Sequence, residues 1–394
     1  MPNKNWFNLP AGLVAFILIY FVSCNVENNS FKLTPTGYSN SGFKIDTSTL
    51  IIDADTPKVF TYKIFSVDKD GTFAGYNEYD HKVHLYSLDH KKAFSKFSLI
   101  PKSLSGTLPF ITGLYLQNRD SIFVLSRTEI GLYDYKGNLK ETFVINAVDD
   151  YFKANYLMDF SEALSFEFDS NSKKLLVPTI NPLATNVNHF NYSFITEIDT
   201  RLRRSFKRLP IQWSELYKNG YYGFMIDPQY SISNINGHNS ILYNFVVEPN
   251  VYVLDLKTGK VSIHGGKPSS KLPYSEVANP IDGKWAHYDD KKIVHFLENV
   301  RYFKILKIKG GYIRAFEEPV KYSKKSNGQF PDFKDKRRFI TVFDETFKVL
   351  GNIDLNDKWY FLGRSFVVNN SIFVPYPSKK DFRFKQIKIT YIKN

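Results

Sequence analysis

One cysteine, Cys24, stands among the 394 residues, so no intrachain disulfide can hold the fold. A single long apolar run, Ala11–Val22, and a mean hydropathy of -0.30 argue against a multi-span membrane protein. Long amphipathic helical patterns are missing, which argues against a helical architecture. There is no G-x-S-x-G elbow, H-E-x-x-H helix or phosphate-cradling glycine loop, and the sequence implies no cofactor. Paired Cys and His for zinc, RNP-like aromatics and a basic region with heptads are also lacking, so no nucleic-acid partner is expected.

What the chain has in quantity is aromatic side chains, 35 Phe and 26 Tyr, within a hydrophobic share of 43 %. That composition builds a sizeable core and excludes disorder. The 52 basic residues outnumber the 39 acidic ones for a net charge of +13. Such an excess suits an anionic partner, such as lipid head groups or acidic polysaccharide, or simply a solvated lysine-rich exterior.

Met1–Ser23 reads as an export signal, with Lys4 as its positive start and Ala11–Val22 as its apolar centre. The apolar stretch is too short for a membrane span, which needs about 20 residues. Val22-Ser23-Cys24 then resembles the lipobox of bacterial lipoproteins, although Phe21 stands where leucine is usual. The resemblance implies cleavage before Cys24 and acylation of that residue, making the membrane a partner through lipid. Several acyl chains anchor firmly, because each buried methylene contributes about 0.8 kcal/mol. The alternative is an ordinary cleaved signal with an incidental cysteine. Residues 24–42, rich in Asn, Ser and Thr, are expected to be a flexible tether.

From residue 43 to 394 the pattern is β-rich runs broken by Gly, Asn, Asp and Pro. Val251–Val261, VYVLDLKTGKV, is the clearest unit: a strand, a tight turn at Asp255 to Gly259, and a second strand. The same apolar–Asp–turn phrase recurs at Asp89, Asp134, Asp199 and Asp344, at separations of 45, 65, 56 and 89 residues counted through Asp255. The first three separations suit a four-stranded unit. The last is either one unit with a large insertion or two units, one of them degenerate. Ile122–Leu125 is continuously apolar, so its sheet needs cover on both faces, which a propeller blade receives from its neighbours. The last unit, from Phe361 to Tyr391, has three strands, and the opening strand Phe43–Ile52 has no unit of its own. Sharing one blade between them closes a ring. The expected fold is therefore an all-β, six-bladed β-propeller, with seven blades, two sandwiches and a β-helix as alternatives.

These phrases, with the lipobox, resemble an uncharacterised family of propeller-type lipoproteins of Gram-negative bacteria, known only as a domain of unknown function. The resemblance implies a lipid-anchored envelope location, outer membrane or periplasm, and transfers no catalytic residue.

Candidate sites are looser. Ile211–Phe224 carries Trp213, Tyr217, Tyr221 and Tyr222, and a later connection carries Trp285 and Tyr288. Aromatic faces on loops stack on sugars or peptide side chains, or else pack over blade ends. Pro319–Arg338 holds Lys321, Lys324, Lys325, Lys334, Lys336, Arg337 and Arg338 against Asp332 and Asp335, an expected exposed insertion for an anionic partner or a merely solvated loop. Ser66–Phe73 approximates the Asp-box hairpin of sialidase-type propellers, with its glycine displaced, and a calcium loop there is disfavoured. His81 and His84 are expected as surface imidazoles rather than a metal pair. Asp149, Asp150, Glu162, Glu215, Asp227, Glu248 and Asp282 are loop carboxylates, and nothing in the sequence selects a catalytic pair among them. The expected function is non-enzymatic binding of a protein or glycan by loops at one end of the ring. A propeller-fold glycoside hydrolase or lyase and a structural subunit of an envelope complex are the alternatives.

Overall fold

The structure, a computed structural model, describes residues 42–53, 62–99, 111–126, 129–144, 167–169, 172–178, 194–201, 206–223, 225, 228–235, 238–265, 277–285, 288–355, 360–376, 378 and 381–392. The chain divides into two units, Met1–Lys32 and Leu33–Asn394, and the first lies wholly outside the described residues. So do Cys24 and the proposed tether up to residue 41.

Six four-stranded antiparallel sheets make up the second unit. After β1 (Gly42–Ile52), blade 1 is β2 (Ile64–Val67), β3 (Thr72–Asn77), β4 (Lys82–Ser87) and β5 (Lys92–Ser98). Blade 2 is β6 (Ile111–Asn118), β7 (Ser121–Ser126), β8 (Glu129–Tyr133) and β9 (Leu139–Val144). Blade 3 is β10 (Glu167–Asp169), β11 (Lys174–Pro178), β12 (Ile195–Asp199) and β13 (Phe206–Arg208). The short helix α1 (Glu215–Asn219) precedes blade 4, which is β14 (Pro228–Ile235), β15 (His238–Phe245), β16 (Val251–Asp255) and β17 (Val261–His264). Helix α2 (Asp289–Glu298) precedes blade 5, which is β18 (Arg301–Ile308), β19 (Gly311–Glu317), β20 (Arg338–Asp344) and β21 (Val349–Asp354). Blade 6 is β22 (Phe366–Val368), β23 (Ser371–Tyr376) and β24 (Phe382–Ile392), completed by β1.

The recurring aspartate has a common physical job. Asp134, Asp255 and Asp344 end or follow the third strand of a blade, and each Oδ1 accepts two backbone N–H groups of the following turn at 2.8–3.0 Å. Asp199 Oδ1 takes the Arg201 N–H in the same place. The side chain satisfies turn donors that no strand can reach. Asp68 does likewise between β2 and β3, taking Asp70 and Thr72, so the Asp-box-like segment is a turn. Blade 6 lacks the phrase because its outer strand comes from the other end of the chain. The 89-residue separation is one blade with a long approach segment containing α2, not two blades.

Closure and cohesion follow from burial. β1 pairs with β24 over eleven residues, from Gly42–Ile392 to Ile52–Phe382. Six apolar cores each join two neighbouring blades. Phe73 and Tyr86 meet Leu50, Phe366, Phe373 and Phe384 between blades 1 and 6. Val83 and Leu85 meet Leu114 and Ile122 between blades 1 and 2, and Phe123 meets Phe168 between blades 2 and 3. Phe194 meets Tyr243 and Phe245 between blades 3 and 4. Val253 meets Phe343 and Phe347 between blades 4 and 5, and Ile340 meets Ile372 and Ile387 between blades 5 and 6. No sheet shields both of its own faces, so each blade is covered by its neighbours around the ring. The protein is a six-bladed β-propeller.

Two expectations need correction. Helix α2 was not anticipated, because three of its first four residues, Asp289, Asp290, Lys291 and Lys292, are exposed and give a weak apolar stripe. His84 is buried, not a surface imidazole. Its Nε2 lies 3.1 Å from Asp80 Oδ2, and its Nδ1 lies 3.1 Å from the Tyr62 hydroxyl.

Candidate functional site: the axial channel

The first strand of every blade lines the ring's axis. Together β2, β6, β10, β14, β18 and β22 bound a cavity of about 320 Å³. Its polar lining is Lys63, Ser66, Thr112, Tyr115, Glu167, Ser231, Lys304 and Lys307.

Glu167 begins β10, and its Oε2 accepts the Ile232 N–H of β14 at 2.7 Å. Burial pushes this carboxyl up to about 7, against the opposing pull of that N–H and of the Lys304 ammonium. Lys304, in β18, is held below the usual lysine range by burial, with Glu167 acting in the opposite sense. No ion pair joins the two among the described residues, and Lys304 makes no other hydrogen bond there. The Ser231 hydroxyl donates to the Ile305 carbonyl at 2.7 Å, whereas Ser66 accepts the Leu116 N–H at 2.9 Å and keeps its proton. Lys63 sits 3.6 Å from Glu78, and Lys307 lies over the Tyr312 ring. Glu167 is the one carboxylate among the described residues of the lining, so the two facing carboxylates of a glycoside hydrolase are not found there.

The aromatic loop takes the second of its two expected roles, packing rather than ligand stacking. Trp213, Tyr217 and Tyr222 are buried in the core between blades 3 and 4. Trp213 stacks on Phe245 at 5.4 Å and meets Tyr217 edge-on at 5.8 Å. The Tyr217 hydroxyl donates to the Met225 carbonyl at 2.7 Å. These rings are part of the core and present no stacking face. Tyr221 is half-buried, bridged to Ile281 through its backbone. Tyr288 is exposed, at the start of α2, and Trp285 lies in a 3₁₀ turn.

The basic insertion is also partly structural. Lys336 is buried, and its ammonium donates to the carbonyls of Phe296 at 3.0 Å and Asn299 at 2.7 Å, closing the end of α2. Burial brings Lys336 down to about 8. Arg338 is buried against Glu317. Lys325 pairs with Asp335 at 2.6 Å, Lys334 with Asp332 at 3.5 Å, and Arg337 with Asp354 at 3.2 Å. Lys321 and Lys324 are exposed and make no ion pair among the described residues. The surface expected to meet an anionic partner thus keeps those two cations without an ion pair among the described residues.

Of the loop carboxylates, Asp149, Asp150, Glu162 and Asp227 lie outside the described residues. Glu215 and Asp282 are exposed and pair with Lys218 and Lys284. Glu248 is fully buried, taking the Tyr252 hydroxyl at 2.7 Å and the Asn250 amide at 2.8 Å.

Glu167 and Lys304 were missed by sequence reasoning, and a signal existed. Both interrupt apolar first-strand runs, Leu164–Phe168 and Tyr302–Ile308. A charge inside the innermost strand of a blade faces the axis.

No family model matches the chain, and no curated protein does. Solved structures do. A member of the DUF4221 family from Bacteroides vulgatus superposes with a TM-score of 0.72 at 16% identity, over 89% of this chain and 99% of that one. A protein from Bacteroides fragilis, named as exported, gives 0.54 at 8% identity, over 92% and 100%. At these identities the likeness is one of fold. Among the described residues no helix is long and apolar enough to cross a membrane.

Proposed function

We propose that this chain is an exported, lipid-anchored propeller of the cell envelope that binds a small polar ligand in its axial channel without turning it over. Export is supported by Met1–Ser23 and by the name of the Bacteroides fragilis neighbour; anchoring is supported by the Val22-Ser23-Cys24 lipobox. The observation that carries the binding reading is Lys304: an ammonium without a partner among the described residues, lining a cavity beside a carboxylate that has used one of its two oxygens. Lys304 is half-buried, and a partly desolvated charge without a partner gains from a ligand that supplies one. The reading replaces recognition by the Ile211–Phe224 aromatics, three of which are in the core.

The test is a thermal-shift screen of the purified protein against a library of small polar metabolites and oligosaccharides, with products followed by mass spectrometry. At least one compound should raise the melting temperature of the wild type and not that of Lys304→Met. Turnover of any such compound overturns the non-enzymatic half of the proposal. A library that shifts neither protein overturns the binding half.

A further inference from the structure

The channel's remaining hydrogen-bonding capacity specifies a ligand class, an inference that rests on the binding reading above. Three of its hydroxyls have given their protons to backbone carbonyls: Ser231 to Ile305 at 2.7 Å, Thr112 to Leu125 at 3.5 Å and Tyr115 to Phe168 at 3.4 Å. A hydroxyl that donates internally has only lone pairs left for a ligand. Glu167 likewise offers an acceptor, the oxygen not used by Ile232. Most of the lining therefore asks for donors. Against this stand the Ser66 hydroxyl, which accepts the Leu116 N–H and keeps its own proton, and Lys304, a cationic donor.

Charge decides between a zwitterion and an anion. Among the described residues, the lining carries Lys304 and Lys307, with Lys63 paired to Glu78, against Glu167. A net anion fits that balance, whereas a zwitterion would bring a further ammonium into a cationic channel. The volume, about 320 Å³, is near the lower end of ligand sites and suits a molecule of monosaccharide size.

We infer that the axial channel binds a small polyhydroxy carboxylate, a sugar acid, with its carboxylate on Lys304 and its hydroxyls donating to Glu167, Ser231 and Thr112. A carboxylate on the ammonium makes a charge-assisted hydrogen bond, about twice as strong as a neutral one. The hydroxyls fix the orientation and reject simple carboxylates.

Titration calorimetry of the purified protein tests this with four probes: D-glucuronate, D-glucose, acetate and glycine. Glucuronate should bind at least about tenfold more tightly than the other three, a difference of about 1.4 kcal/mol. Lys304→Met should remove glucuronate binding while keeping a melting temperature at or above that of the wild type, because it deletes a half-buried charge that has no partner among the described residues. Glu167→Ala should weaken glucuronate and leave acetate unchanged. Glucose binding as tightly as glucuronate overturns the role of Lys304. Glycine binding more tightly than glucuronate overturns the sugar-acid class in favour of a zwitterion. Absence of heat with all four probes also overturns the class; a Lys304-dependent hit of another chemistry in the thermal-shift library would then leave the channel reading standing.

Discussion

Arg338 Nε donates to Glu317 Oε1 at 3.1 Å, and both side chains are buried. Arg338 also donates to the carbonyls of Lys336 at 2.7 Å and of Phe333. One guanidinium thus fastens the base of the Pro319–Arg338 insertion to blade 5. Arg338→Met should destabilise the protein by about 3–5 kcal/mol, since it strands the Glu317 carboxylate. The double variant with Glu317→Leu should recover much of that loss in urea denaturation. A double variant no more stable than Arg338→Met would refute the pairing as the cause.

Ring closure depends on β1. Ile52 is completely buried among Phe73, Phe382 and Phe384. Ile52→Ala should cost about 3 kcal/mol, measured by chemical denaturation. Exposed Ile51 of the same strand serves as the control, and Ile51→Ala should cost well under 1 kcal/mol.

Gly75 packs flat under a ring. A Cβ there would lie 2.4 Å from Tyr62 Cγ, and Tyr62 is held by His84 and Tyr86. Gly75→Ala should destabilise by about 1–3 kcal/mol through overpacking. Adding Tyr62→Ala should remove most of the incremental penalty of the alanine. An equal penalty in both backgrounds would show that the ring is not what excludes the side chain.

Glu167 makes stability depend on pH. Unfolded, it loses its proton near 4.5; folded, near 7. Between those values the native state binds more protons, so stability falls as pH rises through the window. The fall is at most about 3 kcal/mol. Glu167→Gln keeps an acceptor for Ile232 and should flatten the profile between pH 4.5 and 7. Denaturation curves across that range check the sign, and an unchanged profile would refute it.

Lipid attachment is tested by metabolic labelling with a palmitate analogue. The wild type should be tagged and Cys24→Ala should not. Equal labelling of both would remove the anchor from the proposal.

The blade plan was legible from Asp134, Asp199, Asp255 and Asp344, because the turn is local chemistry: a carboxylate two to four residues from the N–H groups it accepts. The sharing of a blade between Phe43–Ile52 and the C-terminal strands was legible from a simple strand deficit. The roles of Trp213, Tyr217, Lys336 and Arg338 were not. Trp213 and Tyr217 could be read either as ligand-stacking or as packing, and Lys336 and Arg338 sit in a segment whose composition reads as exposed. Lys336 meets the end of α2 nearly forty residues away.

Local pattern and strand composition were enough to read small sheets, the turns within them and the need for each sheet to be covered by its neighbours, while the count of six rather than seven came from the pairing of strands. Which side chains face the axis and which face the core came from packing between blades. First strands from six separate blades converge on one line, and their mutual rotation sets Lys304 and Glu167 toward the same cavity. That rotation arises from packing between sheets, which no single strand encodes.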